Sequence, residues 1–129
     1  ADLERVAREY AELLPDPLDL LLLGMGEDGH TASLFPWSPA FGEQSARVVV
    51  VTGPKPPNPR LTVTPPVIET AREVVVLVSG AGKAEALARA LEGSLDVAAV
   101  PAQLARRGTW IVDREAARLL AEVSGNQLP

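Results

Sequence analysis

Apolar positions recur along this chain first at a helical and then at a strand-like spacing. Leu3, Val6, Ala7, Tyr10, Leu13 and Leu14 repeat with the period of one helix face, which predicts a helix over residues 2–14 that Pro15 and Pro17 stop. The leucine-rich run 18–23 reads as a strand buried on both faces, the type found in parallel sheets. Residues 24–29 form a glycine-rich turn, and 30–35 have room for a short helix at most before Pro36. Val48-Val49-Val50-Val51 predicts a second buried strand within 47–52. The proline-dense segment 53–59 must be extended loop, and 61–64 is a short strand. A helix is expected over 65–71, with Thr64 as N-cap and Pro65 in its first turn. Residues 74–78 predict a third strong strand, 79–82 a glycine turn and 83–91 a helix. Residues 98–100 are a weak strand candidate, 109–112 a further strand, and Asp113 caps a last helix reaching Val123.

Strands alternating with helices of these lengths predict an α/β fold: a mostly parallel, doubly wound, Rossmann-like sheet with helices on both faces, in one domain over 1–129. Ligands of such sheets bind beyond the carboxyl ends of the strands. Three glycine- or proline-rich loops follow strand ends here, at 24–29, 53–60 and 79–82.

Composition narrows the chemistry. The net charge of −5, with acids and bases interspersed, argues against nucleic acid as the partner. There is no cysteine, and His30 is the only histidine, so disulfides, thiolate metal sites and a multi-histidine metal site within one chain are excluded. No apolar run is long enough to span a bilayer, and the first residues lack the shape of a signal peptide, so a cytoplasmic protein without membrane contact is expected. The only two lysines, Lys55 and Lys83, both fall in loops that follow strands.

Gly24-Met25-Gly26-Glu27-Asp28-Gly29 satisfies the dinucleotide-binding spacing G-x-G-x-x-G after a strand. Glu27 and Asp28 place negative charge where a pyrophosphate would sit, and Pro36 cuts short the helix whose dipole would hold it, so nucleotide binding is disfavoured. Asp28-Gly29-His30 instead sets a carboxylate two residues from an imidazole. A carboxylate can fix the tautomer of a histidine and make it a better general base. The residues alone leave a second reading open, in which Asp28 caps a short helix and His30 bonds locally. Phe35, Trp37 and Phe41 admit a sugar-stacking platform, but pinning of a loop onto the core is preferred. Arg106 and Arg107 read as solvated surface.

The longer string from Gly24 through Gly29-His30-Thr31-Ala32-Ser33-Leu34-Phe35-Pro36 closely resembles the signature of the 6-phosphogluconolactonases, which form a wider family with the glucosamine-6-phosphate isomerases. Gly53-Pro54-Lys55-Pro56-Pro57-Asn58-Pro59-Arg60-Leu61-Thr62-Val63-Thr64 resembles a further lactonase segment with its Arg-x-Thr-x-Thr. Val78-Ser79-Gly80-Ala81-Gly82-Lys83-Ala84 and Trp110-Ile111-Val112-Asp113 continue the resemblance in the right order, over about residues 1 to 120. In the isomerase branch the Asp-Gly-His core is followed by a Phe-Asn-Glu type sequence. Here Ser33-Leu34-Phe35-Pro36 carries no acid, which favours the lactonase branch.

The resemblance implies hydrolysis of 6-phospho-glucono-1,5-lactone to 6-phosphogluconate, the lactone-opening step of the pentose phosphate pathway. It implies His30 as general base toward water and Asp28 as its supporting carboxylate, with no metal and no organic cofactor. Backbone N–H groups of the glycine turn, with Gly26 and Gly29, are implied in substrate and oxyanion binding. Lys55, Arg60 and Lys83 are implied as cations for the substrate's phosphate. On the residues alone, Lys83 also reads as a surface lysine and Arg60 as a structural ion-pair partner. Family members carry an N-terminal half with a Ser-Gly-Gly-Ser phosphate loop that these residues lack, so the chain is expected to be the C-terminal half of a lactonase-like fold. Self-association or pairing with the other half is then expected, with little or no turnover by the chain alone. The alternatives are an isomerase or deaminase acting on an amino-sugar phosphate, and a non-catalytic assembly fragment of the same fold.

Overall fold

The computed structural model describes residues 2–121. In chain order the elements are α1 (Leu3–Leu13), β1 (Leu20–Leu23), β2 (Val48–Val51), β3 (Arg60–Val63), α2 (Pro65–Thr70), β4 (Glu73–Val78), α3 (Ala84–Glu92), β5 (Thr109–Val112) and α4 (Arg114–Ala117). α1 begins where the Asp2 carboxylate accepts the Arg5 N–H, satisfying one of the donors a helix start leaves over. Asp113 caps α4 in the same way through the Ala116 N–H. α4 ends at Ala117, short of the expected Val123: residues 118–121 turn away from the helix, and 122 and 123 lie outside the described residues.

β1, β4 and β5 form a three-stranded parallel sheet in the order β1-β4-β5. Leu23 stands opposite Val76, and Val78 opposite Val112. All three strands therefore end at one rim, where the loops after Leu23, Val78 and Val112 meet. One face of the sheet, through Leu23, Val74, Val76 and Val78, packs with Ile68 of α2, Ala86, Leu87 and Ala90 of α3, and Leu34. Complete burial of a side chain such as Leu34, Ile68 or Leu87 contributes roughly 1.5–3 kcal/mol.

The sheet's other face differs from expectation. Leu20 and Leu22 of β1, Leu77 of β4 and Ile111 of β5 lie on it together by register, and each is 47–60 % exposed. β1 is thus not buried on both sides. An all-leucine run carries no alternation to distinguish the two faces, so its burial depends wholly on what covers it.

The valine run 48–51 is not a parallel strand either. β2 pairs antiparallel with β3 in a separate two-stranded sheet, with Val48 opposite Val63 and Val51 opposite Arg60. The connection 52–59 is too short for a crossover, which takes a dozen residues or more, so a hairpin is the only return available. α1 packs against β2. Residues 98–100 form no strand. Val100 N–H bonds Asp96 O, and a 3₁₀ turn, Pro101–Ala105, follows at once. Residues 30–35 make no helix, because Thr31 and Leu34 bridge to each other across a tight turn. Thr64 stands at the N-cap of α2, but its hydroxyl donates to Ala46 O and leaves the helix start uncapped by a side chain.

Arginines close the ends of three helices. Arg47 donates to the carbonyls of Ala11, Leu14 and Pro15 at the end of α1. Arg106 donates to Ala90 and Gly93 after α3, and Arg107 to Ile68, Glu69 and Ala71 after α2. Arg106 is therefore partly buried and not simply solvated surface, whereas Arg107 stays exposed, as expected, while its guanidinium bonds these carbonyls. The carbonyls that a helix end leaves unpaired, and its negative dipole end, draw them in. Among the described residues, no helix is long and apolar enough to cross a membrane.

Candidate active site

The loop after β1 folds back on itself through three local bonds. Gly26 N–H donates to His30 O at 2.9 Å, Gly29 N–H to Gly26 O at 2.9 Å, and His30 N–H to Asp28 Oδ1 at 2.9 Å. The same Asp28 oxygen lies 2.5 Å from His30 Nδ1. In the neutral form of the imidazole, a bond to ionised Asp28 puts the hydrogen on Nδ1 and leaves Nε2 its lone pair. Burial pushes the Asp28 carboxyl up, but bonds from the His30 N–H and ring, with the ring's charge, outweigh it and hold the group below its ordinary value. The His30 side chain remains partly exposed at the rim, at 31 %.

Two glycines are required by this geometry. A Cβ on Gly26 would lie 2.1 Å from His30 Cε1 and 2.2 Å from Nδ1, inside the imidazole. Gly29 has φ +89° and rests against the Val100 side chain, while its carbonyl accepts the Ala102 N–H. Thr31, fully buried, donates its hydroxyl to Gly24 O at 2.7 Å and closes the loop at its base. The N–H groups of Gly26, Gly29 and His30 are all engaged within the loop.

On one flank the imidazole meets Phe35, with ring centroids 4.6 Å apart. The Arg60 guanidinium lies 5.2 Å from the same Phe35 ring. Arg60 Nη2 donates to the carbonyls of Lys55 and Pro56, while its Nε is buried with no hydrogen-bond partner. Asn58 braces this loop by bonding Gly53 through both ends of its amide. Lys55 is exposed on the loop, and its carbonyl, not its ammonium, makes the bond to Arg60. On the other flank Lys83 Nζ donates to Met25 O at 2.5 Å. The next strand end is held by Asp113, whose carboxylate accepts from Ser79 Oγ and the Gly80 N–H. Those bonds and that from the Ala116 N–H hold the Asp113 carboxyl below its ordinary value.

Residues 1–112 match the family described as glucosamine-6-phosphate isomerases/6-phosphogluconolactonase. The chain belongs to this family. The 6-phosphogluconolactonase of Mycobacterium tuberculosis is 46 % identical over 132 residues, which cover 92 % of this chain and 53 % of that protein. The human 6-phosphogluconolactonase is 41 % identical, covering 91 % of this chain and 50 % of its own length. The 6-phosphogluconolactonase structure from Trypanosoma cruzi superposes with a TM-score of 0.77 at 31 % identity, over 93 % of this chain and 53 % of the other. A monomeric glucosamine-6-phosphate deaminase superposes with a TM-score of 0.76 at 30 % identity, over 92 % and 55 %. The chain spans about half the length of the relatives it matches.

Within this family member, the structure brings Gly26, Asp28, Gly29 and His30 into one cluster, with Lys83 attached through Met25 and Arg60 through Phe35. Sequence reasoning missed three supports. Phe35 is buried as expected, but it touches both His30 and Arg60, whereas the Trp37 side chain is 70 % exposed and its loop is tied down through the Trp37 N–H to Ala98 O. Thr62 accepts the Ser33 N–H at 3.0 Å, tying the exit of the His30 loop to β3. Asp113 joins two strand ends besides capping α4. The Arg-x-Thr spacing carried a signal for the second of these, since Arg60 and Thr62, two apart on a strand, share a face.

Proposed function

We propose that this chain supplies the general base of a 6-phosphogluconolactonase, which opens 6-phospho-glucono-1,5-lactone to 6-phosphogluconate within the pentose phosphate pathway. The observation that carries this reading is the 2.5 Å contact between Asp28 Oδ1 and His30 Nδ1, in a partly exposed loop at the carboxyl rim of a parallel sheet. His30 Nε2 takes a proton from water as the water oxygen bonds to C1 of the lactone. The tetrahedral intermediate then collapses, the C1–ring oxygen bond breaks, and the proton passes from the imidazolium to the departing ring oxygen. The products are a hydroxyl on C5 and a carboxylic acid at C1, which ionises in water. Asp28 holds the tautomer that leaves Nε2 free and stabilises the transient imidazolium.

Arg60 is the cation we assign to the substrate's phosphate, with Lys55 beside it. Its Nε has no partner, and its guanidinium is held on Phe35 next to the imidazole. The lactonase reading is preferred over the deaminase one because Thr31-Ala32-Ser33-Leu34-Phe35 offers no carboxylate near the ring.

The same reading assigns the apolar sheet face of Leu20, Leu22, Leu77 and Ile111 to a polypeptide equivalent to the half of the relatives that this chain does not span. Parallel sheets are ordinarily covered on both faces, and an exposed apolar face of this kind seeks a partner.

The test is lactone hydrolysis by the chain alone and after reconstitution with that complementary half. Little turnover is expected from the chain alone and substantial turnover after reconstitution. His30→Asn should lower the reconstituted rate by about 10²–10⁴-fold. A reconstituted His30→Asn protein of undiminished rate removes the base assignment.

A further inference from the structure

The stretch from Asp96 to Gln103 holds the His30 loop on both sides of the imidazole. The Ala102 N–H donates to Gly29 O at 2.9 Å, and the Trp37 N–H donates to Ala98 O at 2.8 Å. Val100, itself buried, closes over Gly29, where an added Cβ would lie 3.2 Å from its Cγ1.

The grip on Gly29 falls on the peptide that serves the base. Gly29 O and the His30 N–H are the two ends of the Gly29–His30 peptide, and that N–H donates to Asp28 Oδ1 at 2.9 Å. The same carboxylate oxygen meets His30 Nδ1. Turning this planar unit about its Cα–Cα axis takes its oxygen off Ala102 and its N–H off Asp28 together. Ala102 therefore aims the amide that, with the imidazole, keeps the Asp28 carboxylate in place.

Ala102 is fixed in turn by its neighbour. Gln103 is 4 % exposed, within the 3₁₀ turn Pro101–Ala105. Its Oε1 accepts the Asp96 N–H at 2.6 Å, and its Nε2 donates to Arg89 O at 3.0 Å and to Ser94 O at 2.9 Å. One side-chain amide, with both donors engaged, ties the start of the stretch to its end and both to the last turn of α3. A buried polar network satisfied in this way specifies a single geometry.

We propose that Gln103 is a positioning residue for the Asp28–His30 pair, acting through Ala102 and the Gly29–His30 peptide. The role presupposes the general base proposed above, whereas the contacts themselves do not.

The test is NMR on the protein labelled with ¹⁵N and ¹³C. In the unmodified chain, scalar couplings across hydrogen bonds are expected from Asp96 ¹⁵N to Gln103 ¹³Cδ and from Ala102 ¹⁵N to the Gly29 carbonyl carbon. Gln103→Met keeps the length of the side chain and removes its three bonds. It should weaken the Ala102–Gly29 coupling and speed exchange of the His30 amide by about tenfold, while the β2 amides stay unmoved. The His30 N–H bond favours the ionised form of Asp28, so the Asp28 carboxyl midpoint should rise toward the ordinary aspartate value in this variant. Gln103→Glu, whose carboxyl is protonated in the acid range where Asp28 titrates and then keeps an acceptor and one donor, should stand between the two. With the halves reconstituted, Gln103→Met should lower kcat by about tenfold with KM changed by no more than about twofold. Absence of the Ala102–Gly29 coupling in the unmodified chain overturns the proposal, even where the Met variant fails to fold. So does a folded Met variant that loses global stability but keeps the Asp28 midpoint and the His30 exchange rate, since that is the behaviour of a merely structural residue. Retained turnover by His30→Asn would strike the base assignment and leave the couplings and the Asp28 midpoint as described.

Discussion

Gly26 and His30 approach so closely that the α-hydrogen of the glycine is the largest group the space between them admits. The imidazole atoms that would meet a Cβ are Cε1 and Nδ1, and Nδ1 is the atom bonded to Asp28. Gly26→Ala must therefore push the ring away from its carboxylate. Under the proposed function, lactone turnover by the reconstituted halves should fall by about 10²-fold, in line with an ångström-scale misplacement of a base. The His30 ring ¹⁵N resonances should report the lost bond. An alanine variant of normal rate would show that the ring does not act from the position described.

Asp28 predicts an acid limit for this arrangement. Its carboxyl is held below the ordinary aspartate value, so the folded state keeps the charged form longer than the unfolded chain does. The stabilisation is complete above the unfolded value and is lost as pH falls through the folded one. The Asp28–His30 link should survive mildly acidic solution and break only below the ordinary aspartate range. Carboxyl ¹³C shifts followed against pH will give the midpoint, and a midpoint at or above the ordinary value contradicts the prediction.

The apolar sheet face should be silent for stability and decisive for assembly. Leu22→Glu or Leu77→Glu alters an exposed side chain and should shift the unfolding free energy of the chain by no more than about 0.5 kcal/mol. Leu87→Ala, at a fully buried position, should cost about 2–5 kcal/mol. In reconstitution the order reverses, with the glutamate variants failing to pair. Chemical denaturation and sedimentation of the mixed halves measure the two effects separately.

Trp37 combines an exposed ring with φ +64°, a left-handed conformation that costs a side-chain-bearing residue about 1–2 kcal/mol. Trp37→Gly relieves this, offset by roughly 0.5–1 kcal/mol for the looser unfolded chain. The net expectation is a gain of about 0.5–1 kcal/mol, read from denaturation midpoints. A loss of stability would mean that the indole makes contacts its exposure does not suggest.

The parts of the site that sequence made legible are those built from near neighbours. Asp28 and His30 are two residues apart, and their bond needs only the turn that Gly29 permits. Arg60 and Phe35 meet across 25 positions in no shared element, so their contact has no local signature. Helix and strand positions followed the apolar period well, but an apolar run does not name its partner. Val48–Val51 reads alike in a parallel sheet and in a hairpin, and only the length of the connection to Arg60 distinguishes them. The Lys83 side chain was legible as a cation in a loop, whereas its direction, inward to Met25, depends on how β1 and β4 lie side by side.

The helix-closing arginines carry a consequence for the order in which the chain acquires its shape. Arg47 and Arg107 reach carbonyls that lie 32 to 39 positions earlier in the chain. Such bonds reward the chain only after a long loop has closed. The final turns of α1 and α2 are therefore finished by docking, once the hairpin and β5 are in place, and local helical tendency alone leaves them frayed.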